Sequence, residues 1–258
     1  MKLNLEFIRE NIRHKELSFE LYDTISSTNT VLKQRGRNGA PHGLVLAATH
    51  QTEGRGRMGR QFYSPAETGL YFSLLLRPAL KATDSLLITT AAAAAVAQVL
   101  EKYTPHKAQI KWVNDIYIDE KKVCGILTEA AVKADGYLDY AVLGIGINIA
   151  QPKDGFPDEI NHIAGSLLHS HTEQLHETIL TDVLNVFMDM LPNLSTRAHI
   201  DAYRKRSMLD GTEINVLKND TSIPATALYV DENLCLVVQY KDGTVEHLYT
   251  GDVSIRRA

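Results

Sequence analysis

Between Gln109 and Ile149 four apolar runs follow one another with little between them: Gln109–Val113, Ile116–Ile118, Val123–Ala130 and Leu138–Ile149. The turns Asp119–Lys121 and Ala134-Asp135-Gly136 separate the later members. Connections this short join antiparallel neighbours, because a parallel pair needs a crossover of a dozen or more residues. A sheet built largely from successive hairpins is therefore the frame the rest of the chain must fit. Earlier strands are predicted at Phe19–Ile25, Gly43–Thr49 and Leu70–Leu76. Helices are expected to pack on them. The Ala-rich run after Thr83, closing near Tyr103 and Pro105, has the propensity and length of a buried one. Ser26-Ser27-Thr28-Asn29 supplies N-caps for another that reaches about Arg35 and stops near Gly36 and Gly39. Residues 175–192 and 197–209 read as two more, and the first eighteen residues carry Leu5, Ile8, Ile12 and Leu17 near helical spacing. The fold class is α+β, a mixed and mostly antiparallel sheet with packed helices.

From Gly211 helical periodicity ends. Short strands are predicted at Ile214–Leu217, Ala227–Val230, Leu234–Tyr240 and Val245–Tyr249, with turns at Asn219-Asp220, Asp231-Glu232-Asn233 and Asp242-Gly243. The expectation is a main domain at 1–209 and a small β-barrel at 210–258, a division that suits a chain of 258 residues. With 27 Lys and Arg against 31 Asp and Glu, the net charge of −4 offers no general attraction for nucleic acid. Cys124 and Cys235 stand far apart and belong to no metal-ligand cluster or disulfide framework. No leader segment opens the chain and no apolar run reaches membrane-spanning length, so a reducing cytoplasm is expected.

The densest chemical signal is Gly54-Arg55-Gly56-Arg57-Met58-Gly59-Arg60. Glycines at alternate positions allow positive φ and close approach, and arginines present fixed forks of donors to phosphate or carboxylate. Taken alone, the segment reads equally well as a flexible basic loop. It is neither a P-loop nor a Rossmann fingerprint, since no Gly-Lys-Ser/Thr occurs and no helix follows the glycines directly. Lys111-Trp112-Val113-Asn114-Asp115 places three polar side chains where one apolar strand gives way to the next. Lys121 and Lys122 stand either on a hairpin tip or with one of them turned inward beside an anion. Gly144-Ile145-Gly146-Ile147-Asn148 is a β-branched strand whose glycines mark either a bulge or a close approach.

Taken in order, these blocks resemble the biotin protein ligase family. The resemblance runs from Ser27-Thr28-Asn29 through Gln51, the Gly-Arg-Gly-Arg-Met-Gly-Arg loop, Ser64-Pro65, Leu70-Tyr71 and Arg77-Pro78. It continues through Lys-Trp-Val-Asn-Asp, Lys-Val-Cys-Gly-Ile-Leu-Thr-Glu (122–129) and Gly-Ile-Gly-Ile-Asn to Gly251-Asp252-Val253-Ser254. It implies a class II aminoacyl-tRNA synthetase-like catalytic fold followed by an SH3-like barrel. In the family pattern Ser27, Thr28, Asn29 and Gln51 belong to the biotin pocket, and Arg55, Gly56 and Arg57 to the loop that closes over biotin and its adenylate. Lys122, chosen over Lys121 by the family spacing, contacts the reacting carboxylate and phosphate. Lys111, Asn114 and Asp115 shape the nucleotide side, with Asp115 the candidate metal residue; Gly125 and Asn148 complete the set. Arg55, Lys111 and Lys122 are the residues expected to carry the chemistry. Two positions depart from the family: Phe62 stands where relatives place Trp, and Val113 where many place Pro. Phe62 still offers an aromatic face for adenine, with less area and no indole N–H.

The resemblance implies ATP, biotin and Mg²⁺ as small-molecule partners, and a biotin carboxyl carrier domain as the protein substrate. It also admits a homodimer. Only twenty-five residues precede Ser26, so no winged-helix module and no DNA partner are expected, nor is a membrane. The alternatives are a lipoate-type ligase on the same fold and a biotin-binding sensor without turnover.

Overall fold

A computed structural model describes residues 2–168, 174–218, 221–249 and 252–255. The elements run α1 (Leu5–Asn11), β1 (Ser18–Tyr22), α2 (Thr28–Arg37), β2 (Leu44–Ala48), β3 (Gly69–Leu76), α3 (Leu86–Leu100), β4 (Gln109–Lys111), β5 (Asp115–Ile118), β6 (Lys121–Val132) and β7 (Leu138–Asn148). They continue with α4 (Asp158–Asn161), α5 (Leu175–Met190), α6 (Ile200–Arg204), β8 (Thr212–Lys218), β9 (Thr221–Val230), β10 (Leu236–Tyr240), β11 (Val245–Leu248) and β12 (Asp252–Ile255). The first seven strands form one sheet in the order β1-β2-β3-β7-β6-β5-β4. β1 and β2 are parallel, joined through α2, and every other pair is antiparallel.

Side chains alternate across this sheet, and the two faces bury different things. On one face Phe72, Leu74, Leu76, Leu143, Ile145 and Ile147 join the main core with α3 and α5. On the other, Leu44, Leu46, Leu75, Tyr140 and Val142 close around Leu32 of α2. β3 is buried along its whole length because it is covered on both sides. Against the expectation that no apolar run reaches membrane-spanning length, the segment Ala82–Leu100 is apolar and long enough to cross a membrane, yet most of it is buried among the sheet and the other helices. α1 lies on α5, where Glu177 accepts from Asn4 N at 2.8 Å and Asn185 accepts from Arg13 N at 2.8 Å.

Two expectations about the C-terminal part of the chain change. The predicted C-terminal barrel, SH3-like or otherwise, is not formed. β8–β12 make an open five-stranded antiparallel sheet in the order β11-β10-β9-β8-β12. Closure would require the edge strands β11 and β12 to pair, and among the described residues three strands separate them. Ile214, Val216, Ala227, Leu236 and Val238 of this sheet belong to the same core cluster as α3. Trp112 Nε1 donates to Leu234 O at 2.9 Å and Arg204 Nε to Val230 O at 2.7 Å. The Asn219-Asp220 turn and Gly251 lie outside the described residues.

The helix predicted over 197–209 is only Ile200–Arg204, because the backbone beyond it is used elsewhere. Ile110 N donates to Arg206 O at 2.6 Å and Met208 N to Ile110 O at 3.1 Å, a strand-like bridge beside β4. α2 ends at Arg37, between Gly36 and Gly39 where it is expected to stop, and Gly39 just beyond takes φ +82. A Cβ at Gly36 would meet the Tyr140 ring at 2.9 Å. Gly36 is thus a packing residue.

Candidate active site

The α2 face of the sheet is not filled to its end. Beyond Val142 and Leu127 the strands β6 and β7 carry Gly125, Gly144 and Gly146, with Gly125 paired to Gly146 and Leu127 to Gly144. All three are in extended backbone, so the demand is for space rather than for positive φ. A Cβ on Gly144 would collide with the Asn29 amide; on Gly146 it would stand 2.6 Å from the Phe62 ring, and on Gly125 2.9 Å from it. The register is regular through this stretch. Of the two sequence readings of the glycine strand, close approach therefore replaces the bulge.

Above the glycines lies a cavity of about 120 Å³ lined by Ser27, Thr28, Asn29, Gln51, the loop from Arg55 to Phe62, and Asn114, Asp115 and Lys122. Its floor is a chain of hydrogen bonds. Ser27 caps α2, its Oγ accepting from Thr30 N at 3.4 Å. Gln51 Oε1 accepts from Thr28 N at 2.8 Å, and Gln51 Nε2 donates to Ser64 Oγ at 3.1 Å. Ser73 Oγ lies 2.6 Å from Asn29 Oδ1 and 2.7 Å from Thr28 Oγ1. Asn29 Nδ2 donates to Leu127 O and to Glu129 Oε2, both at 3.2 Å. Buried amides and hydroxyls held this way cannot rotate to suit any ligand. They offer one fixed pattern of donors and acceptors.

The Arg-rich segment folds as a small hairpin in which Gly56 N donates to Arg60 O at 2.8 Å and Phe62 N to Gly54 O at 2.9 Å. Its glycines have distinct reasons. Gly59 takes φ +74, a Cβ on Gly54 would strike Phe62 O and Ser64 Oγ, and Gly56 does neither. The hairpin returns the chain so that the Phe62 ring seats on Gly125 and Gly146, edge-on to Tyr71 at 6.3 Å and with Lys122 Nζ 6.0 Å from its centroid. Arg57 NH1 donates to Asn114 Oδ1 at 2.9 Å, which ties the hairpin to the turn between β4 and β5. Asn114 in turn donates from Nδ2 to Ile126 O at 2.8 Å and to Asp115 Oδ1 at 3.0 Å. Lys122 Nζ pairs with Asp115 Oδ2 at 2.8 Å.

Four cationic side chains, Arg55, Arg57, Arg60 and Lys122, line the cavity against one acidic one, Asp115. An excess of fixed positive charge over a mostly buried polar floor suits an anionic ligand with a polar head. Among the described residues no three of His, Cys, Asp and Glu converge as a metal cage. A hard cation bound mainly through ligand phosphates needs only one or two protein carboxylates, which Asp115 satisfies.

Of the residues singled out by sequence, all but two line this cavity. Lys111 stands opposite Asp115 across the β4–β5 pair, outside the lining, and Asn148 donates from Nδ2 to Gly165 O at 3.0 Å where β7 ends. Lys121, the rejected alternative to Lys122, points away and donates to Asn161 O and His162 O. Sequence reasoning missed Ser73 and Glu129. Ser73 is, beside Tyr71, the only hydroxyl-bearing residue of a strand buried on both faces, and a small buried hydroxyl there by itself signals a partner. Glu129 is reached by counting in twos from Gly125, which places it on the same face.

The fold and the polar floor beneath a basic hairpin define a protein ligase of the biotin and lipoate kind: residues 21–148 match the family described as "Biotin/lipoate A/B protein ligase family". The chain is 32% identical to the bifunctional ligase/repressor BirA of Bacillus spizizenii over 237 residues, covering 90% of this chain and 72% of that protein. It is 30% identical to the corresponding protein of Bacillus subtilis, covering 98% and 79%. In structure it is similar to the biotin protein ligase of Aquifex aeolicus in complex with biotin and ATP, with a TM-score of 0.74, 26% identity and coverage of 93% and 99%. The chain belongs to the biotin protein ligase family.

Proposed function

We propose that the protein activates biotin with ATP and transfers it to one lysine of a biotin carboxyl carrier domain. The biotin carboxylate attacks the α-phosphate of ATP, forming biotinoyl-5'-AMP and releasing pyrophosphate. The ε-amine of the acceptor lysine then attacks the mixed anhydride and releases AMP. The observation that carries this reading is the joining of two halves in one cavity: a rigid neutral floor at Thr28, Asn29 and Gln51, and a cationic rim at Arg55, Arg57, Arg60 and Lys122. The floor suits an uncharged polar ring system and the rim suits the two anions that must meet.

Lys122 and Arg55 offset the repulsion between carboxylate and phosphate, which costs most in a site screened from water. Arg57, through Asn114, sets the hairpin over the ligand and keeps water from the adenylate. Phe62 offers its face to the ligand's ring systems from the glycine seat. Lys111 lends longer-range positive charge from β4, beside the Asp115 strand. Mg²⁺, held at Asp115 with the nucleotide phosphates, would shield the leaving pyrophosphate. We assign this chemistry to residues 1–209 and treat 210–258 as an accessory unit. A cytoplasmic setting, in which carrier domains and ATP are available, follows from the same reading.

The test is incubation of the purified protein with biotin, Mg²⁺, ATP and a carrier domain, read by mass spectrometry as one biotinylated lysine. ATP–pyrophosphate exchange with lipoate in place of biotin separates the lipoate-type alternative. Biotin binding without AMP release would identify a sensor.

A further inference from the structure

Glu129 presents a problem for an anion-binding site. It is a carboxylate on the ligand face of β6, its side chain only 18% exposed, beside a cavity built to attract negative charge. It does not contact the cavity directly, but it touches two residues that do. Its Oε1 accepts from Lys33 Nζ of α2 at 2.6 Å and lies 3.6 Å from Arg55 NH1 of the hairpin. Its Oε2 accepts from Asn29 Nδ2 at 3.2 Å. Burial alone would raise its pKa; the hydrogen bonds from Lys33 and Asn29 and the charges of Lys33 and Arg55 outweigh that and hold it below the ordinary carboxylate range. The group stays ionised, an acceptor at both oxygens.

An amide next to a pure acceptor loses its freedom to flip. With Asn29 Nδ2 committed to Glu129 and to Leu127 O, Asn29 Oδ1 must face Ser73 Oγ as an acceptor. The single Ser73 proton is then claimed by Asn29, so the contact between Ser73 and Thr28 is donated by Thr28 Oγ1; Gln51 Oε1 is fixed separately as an acceptor by Thr28 N. Arg55 is meanwhile held by one edge, 44% exposed, at the mouth of the same cavity.

We propose that Glu129 is a positioning residue for the ligand: one carboxylate oxygen anchors Arg55 at the rim while the other, together with Leu127 O, sets the donor–acceptor polarity of the Asn29–Ser73–Thr28 part of the floor. The inference rests on the biotin ligase reading and specifies how that site recognises the polar ring of its substrate. Glu129 thus couples a strand, a helix and a hairpin that are remote in sequence. Lys33 neutralises the carboxylate without entering the cavity.

The test is calorimetric titration of biotin, without ATP, into the wild-type protein, Glu129→Gln and Lys33→Ala, each checked by thermal melting. Glu129→Gln keeps the shape but can present an N–H₂ to Asn29 and cannot hold Arg55 by charge. The expected result is a loss of at least fivefold in biotin affinity for Glu129→Gln, with Lys33→Ala within twofold of wild type. In an Arg55→Ala background the loss from Glu129→Gln should shrink, because one of its two routes has already been removed. If Glu129→Gln does not fold, Glu129→Asp, which retracts the carboxylate by one methylene, should show the same fivefold loss. A smaller loss in the folded variant, or equal losses in Glu129→Gln and Lys33→Ala, overturns the proposal. Wild-type protein that fails to bind biotin at all would instead refute the underlying functional reading.

Discussion

Lys122 Nζ and Asp115 Oδ2 are 2.8 Å apart, the cation on β6 and the carboxylate on β5, so that the one acidic side chain lining the cavity is matched by its own lysine. Both are largely withdrawn from solvent, at 27% and 20% side-chain exposure, where a lone charge costs more than it would on the surface. Lys122→Ala leaves Asp115 to repel the incoming carboxylate and phosphate. Biotin-dependent ATP–pyrophosphate exchange should fall at least a hundredfold, about 3 kcal/mol of transition-state stabilisation, while the thermal midpoint moves by only a few degrees. Near-normal exchange would remove Lys122 from the chemistry.

The glycine seat makes a steric prediction. A side chain at Gly146 cannot coexist with the Phe62 ring where it now lies. Gly146→Val should lower biotin affinity at least tenfold without unfolding the protein, since the position opens toward the cavity rather than the main core. Phe62→Ala placed in the same chain should recover part of the loss. If the single variant binds normally, the seat is not part of the ligand site.

His199 sets an acid limit on stability. Burial, with a smaller contribution from the Arg197 charge, pushes its pKa down to about 4, and its Nε2 lies 3.0 Å from Thr90 Oγ1 of α3. The unfolded chain takes up this proton below about pH 6.5 and the folded chain only below about 4, so stability falls as pH drops through that window. Between pH 7 and pH 5 the loss from this group is about 2 kcal/mol. Urea unfolding at the two pH values should show it, and His199→Phe should flatten the difference. An unchanged pH dependence in that variant would assign the effect to other groups.

Trp112 joins the two sheets through a buried hydrogen bond to Leu234 O at 2.9 Å. Trp112→Phe leaves that carbonyl without its donor, a cost of roughly 1–2 kcal/mol. The melting temperature should fall by several degrees while the KM for biotin at 25 °C stays within about twofold. A large change in KM with no change in melting would reverse the assignment.

How much of this was legible beforehand depended on whether a position answers to local or to distant demands. The hairpin order of β4 to β7 follows from short turns, and α3 from an uninterrupted apolar helix-former run; both are local properties. Arg55 stands out in its own right as part of a basic, glycine-rich block, whereas Thr28 and Asn29 read alone are helix caps, Lys122 is undecided against Lys121, and these residues and Gln51 are reached only through the ordered motifs of the family resemblance. Glu129 did not stand out, since its role exists only once Asn29, Lys33 and Arg55 meet it from three other segments. The barrel failed for the complementary reason. Strand periodicity in the last residues establishes that a sheet forms, but whether its ends join depends on what covers its apolar face.

The sequence by itself determined the α+β class, the family, and the two blocks that supply the floor and the rim of the site. These are carried by spacing, propensity and ordered motifs, which a chain possesses before it folds. Only the tertiary structure decided that the C-terminal sheet lies open and that Phe62 seats on the Gly125–Gly146 pair; for Lys122 over Lys121 it agrees with the choice the family spacing had already made. The physical reason is common to the first two. Each is a choice between alternatives of similar local energy, and contacts between residues distant in the chain supply the difference.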